Sequence, residues 1–242
     1  SRTGQRWGNP LYRWNAMRRT SYRWWIARLR KAFERFDAVR LDHFIGFHRS
    51  WSVPAGSKTA ERGVYVKGPG AHFFETVTRM LRRPRIIAED LGNLTPEVEG
   101  LRDRFEFPGM RVLQFGFGRE GTAPMHQPRN HPKRCVVYTG THDNNTTRGW
   151  FDAASADEKR AALKYVGTDG RDIAWDFIRL AHRSVANIAI VPMQDLLGLG
   201  ARGRMNLPGT VKRNWSWKMK AGDANPRLAA KLRGLATQSG RA

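Results

Sequence analysis

Three acids in this chain follow short apolar runs. Asp42 closes Ala38-Val39-Arg40-Leu41, Glu89 closes Arg85-Ile86-Ile87-Ala88, and Asp143 stands just past Cys135-Val136-Val137-Tyr138. The third run opens onto Thr139 to Trp150, where His142, Asp143, Asn144, Asn145 and several threonines lie between glycines. A solvated loop is polar too. Three strand ends that each carry an acid beside another polar group point instead to a shared site. Three carboxylates on one rim suit glycosidic bond chemistry. One attacks the anomeric carbon, a second protonates the leaving oxygen, and a third steadies the developing oxocarbenium ion. Carboxylates also bind metals, magnesium included. The seven histidines form no His-Glu-x-x-His pattern and there is no cysteine pair, so zinc is disfavoured and neither a metal nor a cofactor is expected.

The elements that must hold these acids can be read around them. Five strand-like runs are expected: 38–42, 85–89, Arg111 to Phe115, 135–139 and Ile188 to Val191. Ile26, Leu29, Phe33 and Phe36 recur at helical steps before the first. His72 to Leu81 reads as a second helix. Thr95-Pro96 opens a third, with Thr as N-cap and Val98, Leu101 and Phe105 on one face. Ser155-Ala156-Asp157-Glu158 is a capping box. Trp175, Ile178, Leu180 and Val185 mark a helix before the last run. Strands alternating with helices argue for a parallel α/β sheet, and apolar runs of this kind suit strands buried on both faces. No Gly-x-Gly-x-x-Gly follows a strand, which disfavours a dinucleotide fold. Acids at several strand ends favour a (β/α)8 TIM-type barrel. A closed barrel needs eight strands, so an incomplete one is expected. Residues 1–221 are assigned to the barrel, and 222–242 to a helical tail with a frayed end. The chain opens on Ser1 inside a motif-like stretch, so it is expected to belong to a longer protein.

Composition narrows the partners. Forty-three Lys and Arg face 21 Asp and Glu, a formal charge of +22. Such a balance raises nucleic-acid binding as an alternative. The charge is scattered through helices, turns and tail, and no recognition motif accompanies it, so no nucleic-acid partner is expected. A single cysteine, Cys135, points to a reducing, cytoplasmic setting. No apolar run approaches a membrane span, so no membrane partner is expected. Trp24 and Trp25 read as helix core, Asp90 as a residue that ties a loop, and Asn145 as either a substrate contact or a local backbone bond.

Six blocks carry a resemblance. They are Phe36 to Phe44 (FDAVRLDHF), Ile87 to Gly92 (IAEDLG), Tyr138 to Asn144 (YTGTHDN), Gly4 to Tyr12 (GQRWGNPLY), Pro108 to Phe115 (PGMRVLQF) and Ala201 to Asn206 (ARGRMN). In type and order they resemble the 4-α-glucanotransferases, the amylomaltase or disproportionating enzymes of glycoside hydrolase family 77 in the α-amylase clan. The resemblance implies a (β/α)8 barrel longer than this chain. These residues would supply strands four to eight with their helices, and an upstream barrel half would be needed for a closed fold. It implies retaining transfer of an α-1,4-glucan segment to the 4-hydroxyl of another glucan or glucose. Malto-oligosaccharides, starch- or glycogen-derived glucans and glucose would be the partners. A plain α-glucan hydrolase of the same clan is the alternative.

By the resemblance, Asp42 is the nucleophile, Glu89 the general acid/base and Asp143 the transition-state stabiliser. Arg40, on the same strand face as Asp42, keeps the nucleophile ionised, as a neighbouring guanidinium does for a carboxylate. The acid/base must carry a proton, so Glu89 is expected in a drier place. His142 would hold a sugar hydroxyl, Trp7 and Asn206 would line the donor side of the cleft, and His43 would orient the site. Ile45 stands where the family often has arginine. A part-barrel with open sheet edges is expected to be unstable or inactive by itself.

Overall fold

The computed structural model describes residues 3–92 and 94–241. The chain divides into two compact units, residues 1–109 and 110–242.

The first unit begins with an irregular segment and the short helix α1 (Trp14–Arg19), then α2 (Arg23–Phe33). Trp25, Ile26 and Leu29 of α2 are buried, as their spacing dictates. The helix stops before Phe36. One further bond joins the Phe36 N–H to the Ala32 carbonyl at 3.0 Å, and the ring is then left exposed as the chain turns into β1 (Val39–Leu41). Of the two tryptophans, only Trp25 is core. Trp24 is exposed, with the Arg28 guanidinium 5.4 Å from its ring.

β1 pairs in parallel with β4 (Ile86–Ala88), Val39 opposite Ile86 and Leu41 opposite Ala88. Between them lie a 3₁₀ turn (Phe44–Phe47), an antiparallel hairpin of β2 (Arg49–Ser52) and β3 (Val64–Lys67), and α3 (Gly70–Leu81). The hairpin is absent from the sequence reading. Its connection runs through residues 53–63, far longer than the two-residue turns that announce a hairpin. The core beneath is aromatic. Phe44, Phe73 and Phe74 are fully buried, and Phe47 stacks on Phe73 at 5.0 Å. Helix α4 (Pro96–Arg104) opens with Thr95 at the N-cap and Pro96 in its first turn, and Val98 and Leu101 are buried.

In the second unit the strand order is β5–β6–β7, with β5 at Gly109–Val112, β6 at Cys135–Tyr138 and β7 at Ile188–Ile190. β6 and β7 run parallel. β5 is buried throughout, as are the first three residues of β6. β7, an end strand of its sheet, leaves Ile188 and Ile190 exposed. Burial on both faces therefore holds for β5 and most of β6 but not for β7. β5 also starts and stops earlier than expected. The Val112 N–H bonds the imidazole Nδ1 of His126 at 3.2 Å, and Leu113–Phe117 then turn as a 3₁₀ helix.

Helices α5 (Thr147–Ala153), α6 (Ala156–Val166) and α7 (Ile173–Arg183) follow β6, and α8 (Met193–Leu196) follows β7. The capping box is present. The Glu158 N–H donates to Ser155 Oγ, and the Ser155 N–H donates to Glu158 Oε2. Helix α7 buries Trp175 and Ile178 but ends before Val185, which is exposed. The tail forms α9 (Pro226–Gln238), capped by Asn225. Arg241 donates to the carbonyls of His182 (2.8 Å), Ser184 (2.6 Å) and Ala186 (2.8 Å), so a cation takes up groups orphaned at the end of α7. Among the described residues no helix is long and apolar enough to cross a membrane.

Candidate active site

In the first unit, Arg40, Asp42, His43 and Glu89 gather at the carboxyl ends of β1 and β4. Arg40 Nη1 donates to Asp42 Oδ1 at 2.8 Å. The Asp42 side chain is 77% exposed and Arg40's 28%, so the carboxylate is open to a ligand while its partner is held in the wall.

Glu89 is gripped at every polar atom. Its backbone N–H bonds the Leu41 carbonyl (3.0 Å), and its own carbonyl accepts from the Phe44 N–H (3.0 Å). The backbone N–H groups of His43 and Leu91 donate to Oε2 (2.7 Å) and Oε1 (3.0 Å). Burial pushes the carboxyl up to about 7. The His43 and Leu91 amides and the Arg40 charge pull the other way, and the nearby Asp42 charge adds to the rise. Burial wins, as the drier place expected for a proton donor requires. An unfolded Glu titrates near 4.5. Between 4.5 and about 7 the folded chain holds a proton that the unfolded chain has released, so stability falls as pH rises through that window. Glu89→Gln is expected to flatten that part of the stability profile. Melting curves at stepped pH check it, and an unchanged slope in the variant would count against a buried acid.

His43 serves through its backbone. It adopts φ 49° and ψ 53°, a left-handed conformation that aims its N–H at Glu89. His43→Gly keeps that geometry without strain, whereas His43→Val is expected to cost about 1–2 kcal/mol more. Equal melting temperatures for the two would refute this. The ring lies against Gly46, where a Cβ would come within 2.8 Å of Cδ2. Ile45, in place of a polar residue, packs against the aromatic core.

Asp90, beside the acid, is fully buried. Arg102 Nη1 of α4 donates to its Oδ2 at 2.5 Å. Gly109 is needed at its other side, since a Cβ there would lie 2.3 Å from the same oxygen. Asp90 thus ties down the loop that follows Glu89, the structural role expected. Trp7 stands apart on the irregular N-terminal segment, 58% exposed.

The second unit gathers His142, Asp143 and Asn206. Asn206 Nδ2 donates to Asp143 Oδ1 at 2.6 Å, and His142 Nε2 lies 3.3 Å from Asp143 Oδ2. Arg204 braces the same turn, donating to the Asp143 carbonyl (2.7 Å) and the Asn206 carbonyl (2.7 Å). Trp215 lays its ring 5.4 Å from the His142 ring. Trp215 and the role of Arg204 escaped the sequence reading, because neither lies near Asp143 in the chain. The Thr146 N–H donates to Asn145 Oδ1 at 2.9 Å, the local bond of the two alternatives. Among the described residues no group of three His, Cys, Asp or Glu is placed to hold a metal ion.

The family model described as 4-alpha-glucanotransferase, glycoside hydrolase family 77, matches residues 1–224. The chain belongs to that family. The 4-alpha-glucanotransferase of Thermus thermophilus is 46% identical over 98% of this chain and 49% of its own length. That of Synechocystis is 48% identical over 96% of this chain and 46% of its own. The chloroplastic/amyloplastic enzyme of Solanum tuberosum is 46% identical over the whole chain and 42% of its own. The chain therefore spans about half the length of the 4-alpha-glucanotransferases it matches. In structure it is similar to amylomaltase from Streptococcus agalactiae, solved in complex with acarbose. The TM-score is 0.93 at 34% identity, over 99% of this chain and 48% of that one. The fold is that of the amylomaltases, with mixed α/β content.

Proposed function

We propose that this chain supplies catalytic machinery of a 4-α-glucanotransferase acting by retaining double displacement. Asp42 attacks the anomeric carbon of an α-1,4-linked glucan while Glu89 gives its proton to the departing glycosidic oxygen. A covalent glycosyl-Asp42 ester results. Glu89, now ionised, takes the proton from the 4-hydroxyl of an incoming glucan or glucose. That oxygen attacks the same carbon and frees Asp42. Asp143, with His142 and Asn206, binds sugar hydroxyls and favours the oxocarbenium-like state. Arg40 holds Asp42 ionised and oriented. Trp7 offers a ring for sugar stacking.

One observation carries this reading. A half-buried Glu89, its carboxyl pushed up to about 7, lies near an exposed Asp42 that is paired with Arg40. Two carboxylates in unlike surroundings are what separate acid from nucleophile. Family membership and the acarbose-bound neighbour support a glucan in this role. As part of the reading, β1, β4, β5, β6 and β7 are barrel strands four to eight, completed by an upstream half. Malto-oligosaccharides and starch- or glycogen-derived glucans are the substrates, in a cytoplasmic setting.

The test is a chromatogram of maltotriose digests, with an upstream barrel half supplied. Glucose appearing together with longer oligomers is expected. Uniform shortening would mean that water is the acceptor and would replace transfer by hydrolysis. No product at all would end the assignment.

A further inference from the structure

Beneath the loop that carries His142 and Asp143 lies a buried polar layer that takes no part in the chemistry above. Asp195 of α8 is 1% exposed, and its hydrogen-bond partners among the described residues carry no charge. Its Oδ2 accepts from the hydroxyls of Thr139 (2.5 Å) and Thr147 (2.7 Å), and its Oδ1 accepts from the Thr147 N–H (2.7 Å). Thr139 follows the last residue of β6 and Thr147 is the first of α5, so one carboxylate grips both ends of the loop between them. On the other side Gln114, just past β5, donates to the Asn145 carbonyl at 2.9 Å. Gly140 is what lets it approach, since a Cβ there would lie 2.5 Å from the Gln114 amide nitrogen.

A carboxylate buried without a cation is a costly way to fill space, and apolar side chains of like volume would be cheaper. What it secures is geometry: two loop ends held at a fixed separation by three directed bonds. Thr139 and Thr147 are fully buried, so no water competes for them. On the upper surface of the loop Arg204 and Asn206 reach Asp143, and the Trp215 ring lies against His142.

We propose that Asp195 and Gln114 are positioning residues that hold the 140–146 loop so that His142 and Asp143 present their side chains to glucan. The proposal rests on the reading of Asp143 given above. Backbone amide exchange is measured on the 242-residue chain, and turnover on a form active toward maltotriose. Thr147→Val keeps the shape and removes the hydroxyl, whereas Thr147→Ser keeps the hydroxyl. Thr147→Val is expected to speed exchange at Thr141 to Asn144 by about tenfold while the β6 amides stay protected. It should also lower kcat by about tenfold with KM little changed, the pattern of a lost transition-state contact. Thr147→Ser should recover most of both. Unchanged loop exchange in Thr147→Val, a rise spread evenly over the whole unit, or a serine variant as loose as the valine one would overturn the proposal. Asp143→Asn separates the two ideas. Full transfer in that variant, with a loosened loop in Thr147→Val, would sink the role of Asp143 and leave the anchoring in place.

Discussion

Asp42→Asn is expected to leave no measurable glucan transfer, and Glu89→Gln to lower it by about 10²–10⁴, the range for loss of a positioned proton donor. The two losses should differ in kind. A substrate whose leaving group needs no proton, such as a glucosyl fluoride, should restore the first half-reaction in Glu89→Gln. It should do nothing for Asp42→Asn, which cannot form the glycosyl ester. In the unsubstituted enzyme, transfer should fall as pH rises past about 7, where Glu89 gives up its proton. Near-normal maltotriose turnover in either variant would remove that residue from the reaction, and rescue of Asp42→Asn by the fluoride would remove Asp42.

The largest stability effect is expected at Arg102. Its side chain is only 10% exposed, and the Asp90 carboxylate it meets is fully buried. Removing one member of such a pair takes a charged partner from a group in a dry place, at about 3–5 kcal/mol. Arg102→Ala should therefore lower the stability of the first unit by that amount. Replacing Asp90 and Arg102 together with apolar residues should recover much of it. Urea unfolding of the single and double variants decides. Fully additive losses would mean that the two side chains are not coupled. Asp90 follows Glu89 directly, so the same change should also disturb the Leu91 amide that bonds Glu89.

Much of the site was legible because its chemistry is written locally. Arg40 and Asp42 alternate on one strand, and a period of two puts both on the same face whatever the rest of the fold does. The apolar runs before Glu89 and Asp143 are short and bounded by polar residues, so strand ends could be placed within a residue or two. The Ser155 capping box is likewise a local device, complete within four residues.

Other features were illegible for the opposite reason. Asp195 reads as an ordinary helix acid. Only the fold carries Thr139 and Thr147 to it, across 56 and 48 residues. Arg204 braces Asp143 from 61 residues away, a role the chain gives no local sign of. His43 was expected to orient the site, and its N–H to Glu89 is aimed by a left-handed φ that nothing in its residue type announces.

The sequence alone therefore determined which groups are available: a glutamate, an aspartate with its arginine, and a His-Asp pair, each placed at or shortly past the end of a strand by alternation and turn chemistry. The tertiary structure decided how each group behaves. Burial gives Glu89 its proton, directed backbone bonds hold it still, and a buried carboxylate fixes the loop beneath Asp143. Protonation and position depend on what surrounds a side chain in space, and those surroundings come from residues far away along the chain.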